Sequence, residues 1–183
     1  MTKARADFET IKHYTILSET ALNTLDSIAG SNALSKKFTA GSKNINSPAE
    51  FHADLADRVS LLEMACRTSE RGKEIVTKLL SHKSAVLRLG DMSNTTPSLD
   101  GITRILESLS DTQFTRILMS TDGLIGCANA DADYLRKRII TLPAADQLRI
   151  MAVPNAQIDL GHDFIQERKA KLRAKPGTNL NLK

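Results

Sequence analysis

The side chains with the most chemistry to offer are four histidines, two cysteines and a scatter of carboxylates. His13, His52, His82 and His162 lie far apart in the chain. None stands four residues from another, the spacing at which a helix turns two imidazoles toward one metal ion. Surfaces and helix ends are their expected places. Cys66 and Cys127 are too few for a disulfide framework and form no C-x-x-C unit, so both read as buried thiols.

Two patterns approach a known site and stop short. Asn129, Asp131 and Asp133 alternate as the first ligands of a calcium loop do. Position six is then Tyr134 where a glycine is needed, and position twelve is Ile140 where a bidentate glutamate is needed. Acids at a helix start, followed by Arg136, Lys137 and Arg138, account for the run through the helix dipole. Gly72-Lys73 resembles the end of a phosphate loop, but Arg67 replaces its first glycine and Glu74 its hydroxyl residue. No G-x-S-x-G or G-x-G-x-x-G pattern occurs. Cys66 with a histidine, or Asp54 with Glu63, would have to converge in space, and nothing in the sequence selects one such set. The expectation is therefore no assigned catalytic residue, cofactor or metal, and the reading leans away from an enzyme.

The strongest functional feature is basic. Arg168, Lys169, Lys171, Arg173 and Lys175 crowd the C-terminal end, and with Lys183 they give six cations after position 167 with no acid among them. The other 19 basic residues face 21 acidic ones, so the basic balance of the chain belongs to its tail. Such a cluster suits an anionic partner, either nucleic acid through counterion release or an acidic membrane surface. It equally suits the last turn of a solvated helix, where cations oppose the dipole. With no Trp and 4% aromatic residues there is little to stack on bases, so weak contact is the expectation for this run, alone or with Arg136, Lys137 and Arg138.

The elements that must position these residues are helices. Hydrophobic residues make up 41% of the 183 and charged residues 25%, an ordinary globular balance, and the apolar set is mostly aliphatic. Three- and four-residue apolar spacing predicts helices over Asp7 to Ala29, from Ser47-Pro48 through Cys66, and over Glu70 to Ser81. It predicts others over Leu99 to Leu109, Asp111 to Met119, Asn129 to Ile140, Ala144 to Ala152 and Ile158 to about Lys175. Ser47 with Glu50 and Ser110 with Gln113 match the capping box, and Pro48 suits a first helical position. Gly30 to Asn46 and Asp91 to Asp100 read as long polar connections.

The expected fold is all-α: an irregular multi-helix bundle of about seven to eight helices, with a short helix-pair, solenoid-like repeat in the C-terminal half as its more regular form. Residues 1–183 are expected to form a single domain, with a subdivision into 1–90 and 99–175 around the 91–98 loop as the alternative and 176–183 as a flexible tail. Residues 109–124 match 142–157 at an offset of 33, pairing Leu109 with Leu142, Arg116 with Arg149 and Ile117 with Ile150. That is the ankyrin period, but Ser98 and Asp100 spoil the nearby T-P-L-H-like opening at Thr96-Pro97, so no family follows from it.

A foldable helical chain without a catalytic motif points to a protein–protein interaction module, with a protein partner of unknown identity. A bacterial secreted effector or adaptor has this profile. A nucleic-acid-associated helical protein, binding through its basic C-terminal helix, is one alternative, and an enzyme with no recognisable motif is the other. The N-terminal residues carry no apolar leader, and no run reaches the ~20 apolar residues of a membrane span. A cytoplasmic location is expected, or export by a route that needs no N-terminal signal peptide.

Overall fold

The computed structural model describes residues 16–39, 48–81, 96–120, 132–154 and 160–174. It is all-helical over them, in nine helices: α1 Glu19–Ala29, α2 Asn32–Thr39, α3 Pro48–Thr68, α4 Glu70–Leu80, α5 Thr96–Ser108, α6 Asp111–Leu118, α7 Ala132–Ile139, α8 Ala144–Met151 and α9 His162–Arg173. Among the described residues no helix is long and apolar enough to cross a membrane.

Local chemistry sets several of the boundaries. The Ser110 hydroxyl accepts from the Gln113 amide at 3.3 Å while the Gln113 side chain accepts from the Ser110 amide at 3.0 Å, so the predicted capping box opens α6. Such a cap contributes about 1 kcal/mol. Ser69 opens α4 in the same manner, accepting from the Gly72 amide at 3.1 Å. Pro48 is the first residue of α3 as expected; the Ser47–Glu50 box lies outside the described side chains.

The helices depart from the sequence reading at four places. Helix α1 starts at Glu19, because Leu17 donates its amide to the Thr68 hydroxyl at 2.9 Å and Ser18 caps the helix. The stretch Ile16 to Ser18 is therefore non-helical, and Asp7 to Thr15 lie outside the described residues. Within the supposed connection Gly30 to Asn46, residues 32–39 form α2. Its buried Ser35 donates to the Ile28 carbonyl at 2.9 Å, and Phe38 packs on the core beneath the Arg58 guanidinium, 5.2 Å from the ring centre. Helix α5 begins at Thr96, inside the expected 91–98 loop, with Pro97 in a first turn that has no need of its amide. Helix α9 begins at His162, since Gly161 takes φ 85°, a left-handed conformation that interrupts a helix, and Ile158 lies outside the described residues.

The helices pack as pairs. One row runs α1 against α4, α4 against α6 and α6 against α8, with α9 closing on α8; α3 packs against both α4 and α5. The proposed repeat has a structural counterpart: α6 and α8 start and end 33 residues apart, as do buried Ile102 and Leu106 of α5 against Leu135 and Ile139 of α7. Leu109 and Leu142, Ile117 and Ile150, and Leu118 and Met151 are buried at the same interval. Buried residues on both sides of 91–98, including Leu62, Leu79, Ile105, Ile117 and Ile139, belong to one apolar cluster.

Candidate functional site

Helix α9 carries the predicted anion-binding residues on an amphipathic frame. Ile165 and Leu172 are buried, Asp163 stands in the first turn, and Lys171 and Arg173 stand in the last. Arg168 turns inward. Its Nε donates to Gln147 Oε1 at 2.7 Å and its Nη2 to the Ile140 carbonyl at 3.2 Å. Gln147, almost wholly buried, donates in turn to the carbonyls of Ile140 at 3.2 Å and Leu142 at 2.6 Å. The pair thus serves carbonyls that the end of α7 leaves without helical partners. Lys171 is ion-paired with Glu167, whose carboxyl it holds below the usual range through a hydrogen bond and its charge. Lys169 is half-buried and Arg173 exposed; Lys175 lies outside the described residues.

The second basic run behaves likewise. Arg136 donates to the Leu160 carbonyl at 2.8 Å and to Asp133 at 2.9 Å. Arg138 donates to the carbonyls of Leu106, in the last turn of α5, and, at 2.6 Å, Leu109, just past its end, and to the Tyr134 hydroxyl at 2.9 Å. Its guanidinium lies 4.1 Å from the centre of the Phe114 ring. Lys137 is exposed. Arg168 of α9 reaches the Ile140 carbonyl just past α7, and three arginines of the two basic runs face carbonyl oxygens of the chain itself.

Two concavities stand out among the described residues. The larger, about 630 Å³ and open to solvent, lies where the end of α4 meets α6 and the start of α8, and is lined by Ser81, Asp111, Thr112, Arg116, Met119, Pro143, Asp146 and Arg149 among others. Met119 is 42% exposed there. Arg116 is held by Glu74 of α4 at 2.7 Å, and Gln113 reaches the same carboxylate at 3.3 Å. Arg149, which follows Arg116 by the repeat interval, instead approaches Asp146 of its own helix at 3.7 Å. The smaller, about 360 Å³, is lined by Glu63, Arg67, Arg104, Glu107 and Ser108. In it Glu63 accepts from both Arg67 and Arg104, the latter at 2.9 Å.

Of the catalytic sets that the sequence offered, Cys66, Glu63 and His162 have described side chains, and the side chain of Asp54 lies outside them. Cys66 is buried, and that burial pushes its thiol from 9.0 up to about 11, against smaller lowering by Ser108 and Lys73. A nucleophilic cysteine requires the opposite shift. Glu63 is committed to two arginines, His162 is exposed at the start of α9, and Cys127 and the other histidine side chains lie outside the described residues. Residues 132–139 of the calcium-like run are helical, with Asp133 paired to Arg136. Among the described residues no three His, Cys, Asp or Glu side chains are grouped to hold a metal ion.

The Cys66 shift predicts a pH dependence. The folded thiol ionises later than the unfolded one, so its contribution is whole below pH 9 and is lost as pH rises through about 11. The loss is about 2–3 kcal/mol. Urea unfolding across that range should fall less steeply for Cys66→Ala than for the parent; identical slopes would mean that the thiol is accessible to water.

The sequence reading missed the inward roles of Arg138, Arg168 and Gln147. The available signal was a long polar side chain set within an apolar stripe, as Arg138 is between Leu135, Ile139 and Leu142. The class that emerges over the described residues is an all-helical, multi-helix fold with an open groove along one row of helices. No protein-family model matches the sequence, and no curated protein or solved structure matches it either.

Proposed function

We propose that the chain is a non-enzymatic protein–protein interaction module, in which the row α1, α4, α6 and α8 presents a rigid surface to a protein partner. The observation that supports this reading best is the groove beside α6. It is wide and solvent-open, with an exposed methionine and a proline set among polar side chains, while its neighbours are braced by ties between helices. Arg71 of α4 pairs with Glu19 and donates to Asn23 at 2.6 Å on α1, and Glu74 reaches Arg116 on α6. Each exposed pair is worth about 0–1 kcal/mol, so their contribution is orientation more than stability. A preorganised surface loses little entropy on binding. An adaptor role needs nothing beyond such a surface.

The basic-helix alternative gains less, because Arg136, Arg138 and Arg168 are spent inside the fold. Affinity isolation from native lysate separates the two, using the full chain, a Met119→Glu/Arg149→Glu variant and a Lys169→Glu/Arg173→Glu variant, each washed at low and moderate salt. A salt-resistant protein retained by the parent and the α9 variant, but reduced at least tenfold by the groove variant, is the expected result. Nucleic acid lost with salt and with the α9 variant would replace this reading by the alternative. The charge variant is preferable to truncation after Gln166, which would also remove Arg168 and buried Leu172.

A further inference from the structure

We draw no further inference here: the strongest candidate, the open groove between α4, α6 and α8, belongs to the surface already proposed, is lined by Asp111 and Asp146 as well as Arg116 and Arg149, and nothing in the structure shows what covers it.

Discussion

Replacing Gly72 with alanine is expected to destabilise the protein by about 3 kcal/mol, at the upper end of what overpacking costs. Gly72 is buried in the first turn of α4, where that helix folds back against the end of α3. A methyl group at this position would overlap the Ala65 carbonyl oxygen and stand 2.7 Å from its carbon. The obstacle is helical backbone with fully buried side chains around it, so relief requires α3 and α4 to separate. Those helices carry Val59, Leu62, Cys66, Ile75, Val76 and Leu79, and opening the pair loosens the centre of the apolar cluster. Gly30→Ala is the control. Gly30 has φ −77°, and an added Cβ would be 3.3 Å from the Asp26 carbonyl oxygen with nothing closer. Urea midpoints should show a large drop for Gly72→Ala and a change of about 0.5 kcal/mol or less for Gly30→Ala. Equal effects would mean that α3 and α4 do not approach this closely. The same result explains the phosphate-loop resemblance at Gly72-Lys73: the glycine is there for helix contact.

The second large effect is expected at Arg138. Arg138→Met should cost about 2–4 kcal/mol, because it keeps much of the side chain's apolar bulk but withdraws the donors to the Leu106 carbonyl, which keeps the Leu109 amide at 3.2 Å, and to the Leu109 carbonyl. The guanidinium also lies over the fully buried Phe114, so the packing of α6 against the end of α5 depends on it. Arg138→Lys should recover less than half of the loss, since one ammonium cannot reproduce a planar fork that spans two carbonyls and an aromatic face. The loss should change little with salt, as the principal acceptors are neutral. Lys137→Met, on the exposed neighbour, should stay within about 0.5 kcal/mol. Chemical unfolding and amide exchange across α5 and α6 check these values. A neutral Arg138→Met would return this arginine to the surface and strengthen the basic-helix alternative.

How much was legible can be argued from these residues. Helix α4 follows its predicted bounds within a residue, because Ser69 caps it and Ile75, Val76, Leu79 and Leu80 recur at helical spacing. The same holds for α6 behind its capping box. The 33-residue match was faint in residue identities, yet the helices and buried positions keep its interval. Burial constrains apolar character more tightly than it constrains identity. Helix α2 was not legible: at eight residues it is too short to hold as a helix by itself, and what steadies it is Phe38 meeting Arg58 from a helix twenty positions on.

The candidate site divides along the same line. Charge count located a basic C-terminal run, and absence of motif spacing turned the reading away from catalysis. Neither determines which way an arginine points. That depends on where a neighbouring helix ends and leaves carbonyl oxygens without partners, as α5 does for Arg138 and α7 for Arg168. The groove has the same origin, since its lining comes from three helices that are distant in sequence. Periodicity and caps are local and can be read along one strand of text. The fate of a long charged side chain is set by the free energy of unsatisfied groups elsewhere in the fold, and only the tertiary structure places those groups within its reach.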